Sequence, residues 1–128
     1  MCSSDLTDSR MGSQSYRDFA TGYYLAADGM AWFYSHYLAE EHAAHPDASP
    51  LLATDLARLP PTYIVTAEYD PLRDEGRAYA GRLIEAGNEV TYREVRGAVH
   101  GLWVMNSLGP ATADMIEGVA RWCRTIWQ

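Results

Sequence analysis

The spacing of apolar positions changes along the second half of the chain. Residues 62–69, TYIVTAEY, form a β-branched and aromatic run after two prolines, which is typical of a buried strand. Residues 72–86 then carry apolar side chains at helical spacing, and Gly87 and Asn88 follow as residues that end helices. Residues 89–95, EVTYREV, mix apolar and charged side chains, which favours a strand near a sheet edge.

Two further helices are predicted outside this segment. The first begins near Met30, with Asp28 as its N-cap, and its apolar side chains recur every three or four residues up to Leu38. A connection rich in Pro, Ala, Ser and Asp follows over residues 42–61. The last helix begins after Pro110. Its inward face is predicted to contain Ile116, Val119, Ala120, Cys123 and Ile126.

The order strand, helix, strand, helix predicts an α/β fold with a parallel βαβα unit. Two parallel strands alone make a poor sheet, because such a sheet is buried on both faces, so we expect residues 15–128 to be part of a larger domain. Residues 1–14 are polar and aperiodic, and we predict a disordered tail. Residues 2–6, CSSDL, match the translation of a common sequencing-adapter end, so we hypothesise that this tail is an artefact of a truncated reading frame.

Composition narrows the range of partners. The net charge is −7 and all ten basic residues are arginines without a cluster, which argues against nucleic acid or an anionic membrane as a partner. No apolar run reaches the length of a membrane span. Cys2 and Cys123 have neither a disulfide framework nor metal-ligand spacing. No signal peptide is visible, from which we expect a cytoplasmic protein, although we take the native N-terminus to be missing.

Two residues with catalytic chemistry follow the two predicted strands. Asp70 comes directly after the first strand and His100 lies in the loop GAVHG after the second. The carboxyl ends of parallel strands meet at one edge of a sheet, so the two side chains are predicted to lie together. Such an acid would orient the imidazole, which would then act as a general base toward a serine. Asp70 followed by Pro71 is equally a good helix start, and only the combination with His100 favours catalysis.

The nucleophile that such a pair would serve is missing from the sequence. No G-x-S-x-G elbow and no H-G-G-G oxyanion segment occurs in the 128 residues. Four candidate serines can be rejected because none is predicted at a strand end. They are Ser13, Ser15, Ser49 and Ser107. We therefore predict that the chain by itself is inactive, and that the unpaired edge of the first strand makes it poorly soluble.

The stretch LPPTYIVTAEYDPLRDEGRAYAGRLIEAG, followed by VRGAVHG, closely resembles the C-terminal third of the hormone-sensitive-lipase-like esterases, a branch of the α/β-hydrolases. The resemblance covers roughly residues 15–128. It implies the C-terminal part of a three-layer α/β-hydrolase sandwich, with Asp70 as triad acid and His100 as triad base. It also implies a parent enzyme that hydrolyses small-molecule carboxylic esters without metal or cofactor.

The sequence departs from this branch in two respects, and two other interpretations stay open. Leu102 precedes Trp103 where the branch commonly has an aromatic residue, and both N-terminal motifs are absent. Trp103 itself is predicted either to line a substrate pocket or to pack in the core. One alternative is a non-catalytic α/β module that pairs its free strand edge with a partner chain. The other is a fragment of a peptidase-type α/β-hydrolase. The oligomeric state and the ester are left open.

Overall fold

A computed structural model describes residues 6–104 and 109–127 of the chain. These residues form four α-helices, two β-strands and short 3₁₀ turns at Glu40–His42, Pro50–Leu52 and Leu102–Val104. In chain order the regular elements are α1 (Gln14–Asp18), α2 (Ala27–Tyr37), β1 (Thr62–Tyr69), α3 (Arg73–Glu85), β2 (Val90–Val99) and α4 (Pro110–Ile126). None of the helices among the described residues is long and apolar enough to cross a bilayer.

The sheet of the described residues consists of β1 and β2, which pair in parallel. Thr62 lies opposite Val90, and the register continues regularly to Ala67 opposite Val95. The middle of β1, residues 63–67, is buried throughout, as predicted from its continuous apolar run. This arrangement confirms the α/β class and the predicted parallel unit.

Helix α3 has well-defined ends that follow from local sequence. Its N-cap is Leu72, and its C-terminal turn is closed by two backbone hydrogen bonds, from Gly87 to Ile84 (2.9 Å) and from Asn88 to Leu83 (3.1 Å). This is the Schellman arrangement, which requires a residue in the left-handed region, and Gly87 has φ +83°. The helix therefore stops where the Gly-Asn pair predicts.

Side chains of β1 alternate between two packed faces, which makes the unit three layers thick. Tyr63, Val65 and Ala67 face α4 and pack with a cluster that includes Met115. Ile64 faces α3. On the α3 side its buried neighbours are Leu56, Ala80 and Leu83. A third cluster packs the N-terminal helices over the start of α3 and consists of Tyr16, Met30, Tyr34 and Leu72. The three-layer arrangement agrees with the predicted sandwich.

Helix positions differ from the predictions in two places. The N-cap of α2 is Ala26, and the Asp28 carboxylate instead accepts a hydrogen bond from the Gly29 amide inside the first turn. In α4 the predicted inward residue Ile116 is 47% exposed, whereas Met115 is buried in the core. Val119 packs against the core as predicted, and Met115 and Trp122 take the neighbouring inward positions.

The N-terminal segment is packed rather than disordered, as far as it is described. Residues 1–5 lie outside the described residues. Thr7 and Asp8 are buried, and Leu51 donates a backbone hydrogen bond to Thr7 at 2.9 Å. The prediction of a disordered tail is therefore wrong for residues 6–14, whose polar side chains are used for buried hydrogen bonds.

Candidate active site

Asp70 occupies the tight turn that joins β1 to α3. Its Oδ1 accepts a hydrogen bond from the Leu72 amide at 2.9 Å, and its carbonyl accepts one from the Arg73 amide at 3.1 Å. The side chain of Asp70 is 7% exposed. One carboxylate oxygen thus holds the turn that leads into α3, although the N-cap of the helix is Leu72 and not Asp70, and Oδ2 remains free to bind a second group.

His100 is that second group. It follows the last residue of β2, and its Nδ1 lies 2.9 Å from Asp70 Oδ2. An ionised carboxylate can only accept hydrogen bonds. The neutral imidazole therefore carries its proton on Nδ1, from which it donates a hydrogen bond to Asp70. This tautomer leaves a lone pair on Nε2, which is the form that a general base requires.

Two aromatic side chains border His100. The Trp103 ring meets the imidazole edge to face, with centroids 5.8 Å apart, and also packs against the core beneath α4. Gly101 has φ +73°, and a Cβ there would lie 3.3 Å from Cε1 of Tyr24. Glycine at this position therefore allows both the left-handed turn and the close approach of Tyr24. Trp103 serves packing and borders the site, so neither of its two predicted roles excludes the other.

Ser15 supports the Asp70 turn from behind. This serine has no exposed surface, and its Oγ donates to the Pro71 carbonyl at 2.5 Å and accepts from the Asp74 amide at 3.2 Å. The Ser15 amide also donates to Asp74 Oδ2 at 3.0 Å. Sequence reasoning rejected Ser15 as a nucleophile and found no other use for it. The structure places it where it links α1 to the turn that carries Asp70.

Glu75 is a buried carboxyl group one turn into α3. Its side chain is 2% exposed, and its Oε1 accepts hydrogen bonds from the Thr7 amide (2.7 Å), the Thr7 hydroxyl (3.2 Å) and the Asp8 amide (3.4 Å). Burial raises the pKa of Glu75 to about 7, although these hydrogen bonds act in the opposite direction. The pKa values of Tyr16 and Tyr34 are also raised, chiefly by burial and further by the nearby Glu75.

A glutamate in the first turn of a helix ordinarily interacts with the helix dipole in water, but the side chain of Glu75 turns inward toward Thr7. The partner lies 68 positions away in sequence. No local pattern could have revealed this contact.

The described residues contain no serine hydrogen-bonded to His100. Ser13 and Ser15 share a hydrogen bond of 3.0 Å, and Ser49 is bonded to the Ser9 amide at 2.9 Å. Ser107 lies outside the described residues. The part of the chain that the structure describes also contains no cluster of three or more His, Cys, Asp or Glu side chains that could hold a metal ion.

Comparison with known proteins identifies the family. A family model described as the alpha/beta hydrolase fold matches residues 2–104. The chain belongs to the alpha/beta hydrolase fold family. The match begins inside the segment that sequence reasoning set apart as a tail, so the family likeness extends further toward the N-terminus than predicted. The hypothesis that residues 2–6 are translated adapter sequence depends on the nucleotide sequence, so it stays a prediction.

Relatives of this α/β-hydrolase include esterases. It is 38% identical over 109 residues to the carboxylic ester hydrolase LipN of Mycobacterium tuberculosis, covering 84% of this chain and 29% of that protein. It is 34% identical over 104 residues to ethyl acetate hydrolase of Pseudomonas putida, covering 80% of this chain and 33% of that protein. The chain thus spans about a third of the length of these relatives.

Solved structures support the same assignment. A thermostable esterase from Pseudomonas putida superposes with a TM-score of 0.92 at 35% identity, over 96% of this chain and 40% of the esterase. Carboxyl esterase 2 of Tuber melanosporum gives a TM-score of 0.90 at 28% identity, over 95% of this chain and 42% of that one. The predicted relationship to the hormone-sensitive-lipase-like esterases is confirmed, and this α/β-hydrolase chain corresponds to the C-terminal part of such structures.

Proposed function

We propose that this chain supplies the acid and the base of a Ser-Asp-His triad in a carboxylic ester hydrolase. The observation that carries the proposal is the 2.9 Å contact between His100 Nδ1 and Asp70 Oδ2 at adjacent strand ends. Relatives that are named as ester hydrolases support the choice of an ester as the substrate. The substrate is a small-molecule carboxylic ester, and no metal or cofactor takes part.

The chemistry follows from the tautomer of His100. Nε2 accepts the proton of a serine hydroxyl supplied by sequence outside this chain, while that oxygen attacks the ester carbonyl. The imidazolium then protonates the leaving alcohol and becomes neutral again. In the second half-reaction the neutral imidazole removes a proton from the water that attacks the acyl-enzyme, and the imidazolium so formed returns this proton to the serine oxygen as the acid is released. Asp70 stays ionised throughout, holds the ring and stabilises its positive charge.

A chimera provides the direct test. Residues 6–128 are joined to the part of Pseudomonas putida ethyl acetate hydrolase that precedes its matched segment, and hydrolysis of p-nitrophenyl acetate is measured. We expect activity, with kcat lowered roughly 10³-fold or more by His100→Ala and strongly by Asp70→Asn. His42→Ala, which removes an exposed histidine, is the matched control and should change nothing. A folded chimera that is inactive, or equally active with His100→Ala, would refute the proposal.

The 128-residue chain by itself is expected to be inactive, because removal of a triad nucleophile leaves only what binding and the oxyanion hole contribute. Its rate with the same ester should equal that of buffer. Hydrolysis by the purified chain that disappears in His100→Ala would contradict this expectation.

A further inference from the structure

The pairing of β1 and β2 changes register just before the candidate site. Ala67 lies opposite Val95, but Tyr69 lies opposite Val99. The two steps along β1 are thus matched by four along β2, so β2 contains two additional residues at this point. An irregularity of this kind bends a strand and redirects the side chains that follow.

This irregularity determines which residue lies level with Asp70. Partners before it differ by 28 in residue number, as in Ala67 and Val95, and partners after it differ by 30, as in Tyr69 and Val99. With the first spacing Asp70 would lie level with Ala98, which is a buried core residue. With the second spacing it lies level with His100. The acid and base meet only in the irregular register.

The side chain of Glu68 binds the irregular segment of β2, which consists of residues 96–98. Gly97 lies within it at φ +71°, and its amide donates to Glu68 Oε2 at 2.6 Å. Glu68 itself stands between the two β1 residues where the register changes, and its carbonyl accepts from Arg73 Nη1 at 3.1 Å. An amide released from a strand ladder needs another acceptor, and a carboxylate is a strong one.

We propose that Glu68 is a positioning residue for the triad base: its carboxylate selects the register of β2 that places His100 opposite Asp70. The inference rests on the proposed function for its significance in catalysis. Its test, however, measures the geometry of the pair and needs no ester hydrolysis, so the two can fail separately.

The experiment is NMR on the 128-residue chain. Ring ¹⁵N shifts report the tautomer of His100, and hydrogen exchange reports the Gly97 amide. The unchanged chain should show the Nδ1-protonated tautomer. Glu68→Ala should lose it and should speed exchange at Gly97 roughly tenfold or more, because a charge-assisted hydrogen bond is lost. Glu68→Gln retains an acceptor oxygen and should keep the tautomer.

Two further variants test whether the effect on His100 comes from the register of β2. Glu89→Ala makes the same change of charge at an exposed position at the start of β2 and should leave His100 unaffected. Gly97→Val leaves Glu68 intact but disfavours the left-handed backbone, so it should also abolish the Nδ1-protonated tautomer of His100. This variant tests the irregular register if Glu68→Ala does not fold. Retention of the tautomer in Glu68→Ala or Gly97→Val overturns the proposal. So does its loss in Glu68→Gln while the β1 and β2 amides stay protected.

Discussion

Replacement of Glu75 by glutamine tests whether a buried carboxyl group makes the fold sensitive to pH. Glu75 is almost fully buried, and its pKa is raised from the ordinary value of 4.5 to about 7. In the unfolded chain the group loses its proton at a lower pH than in the folded chain. As the pH rises between these two values the unfolded state is favoured, so the stability of the fold should fall across this window.

The magnitude follows from the difference in pKa. A rise from 4.5 to about 7 corresponds to about 3 kcal/mol of lost stability when the pH is above both values. Between about pH 5 and about pH 7.5 the expected change is roughly 2 kcal/mol. Glutamine keeps an oxygen for the Thr7 amide and hydroxyl but does not titrate, so Glu75→Gln should remove this contribution.

The assay is urea unfolding of both proteins at the two pH values. Near pH 5 the variant should be nearly as stable as the unchanged chain, and near pH 7.5 it should be more stable by roughly 2 kcal/mol. The nearby Asp8 does not titrate in this window, because its hydrogen bond to Arg10 lowers its pKa from an already low ordinary value. Glu85→Gln, at an exposed position of α3, is the control. Parallel pH curves for Glu75→Gln and the unchanged chain would refute the reasoning.

Two matched pairs of substitutions test the packing of α3. Leu83→Ala should lower the free energy of unfolding by about 2–5 kcal/mol because this side chain is fully buried. Ile84→Ala, whose side chain is 55% exposed, should lower it by less than about 1 kcal/mol, and similar losses in urea unfolding would contradict the described helix face. Gly76→Ala should destabilise by roughly 1–3 kcal/mol, since the new Cβ would lie 2.8 Å from Thr66 Cγ2. Gly81→Ala meets open space and should stabilise by roughly 0.5–1 kcal/mol in thermal unfolding, so a stabilising Gly76→Ala would show that the contact is soft.

The elements that sequence predicts best here are those whose signals are local. The apolar run of β1 and the Gly87-Asn88 pair each determine structure through neighbouring residues, and both lie where predicted. The pairing of Asp70 with His100 is also accessible, because both residues follow strands of one parallel unit. Periodicity and strand order together were enough to place the candidate acid and base side by side.

The supporting contacts of the site could not be predicted in this way. Ser15 binds Asp74 across 59 positions of sequence, and Glu75 binds Thr7 across 68. Nothing in the local composition of an N-terminal polar segment distinguishes buried hydrogen-bonding partners from a solvated tail. The register change near Glu68 could not be predicted either, because it depends on a hydrogen bond from the Gly97 amide, which lies 29 positions away in sequence.

Two contacts of the site enclose segments of different length, and this difference predicts which part of the structure unfolds first. The contact between Asp70 and His100 closes a loop of 30 positions, and the contact between Thr7 and Glu75 closes one of 68. Closing the longer segment costs about 0.7 kcal/mol more in chain entropy. Formation of this contact also buries Glu75, which disfavours the charged form of its carboxyl group near neutral pH. Partial unfolding should therefore release the N-terminal segment first, while the acid and base remain together as one cooperative unit of native-state hydrogen exchange.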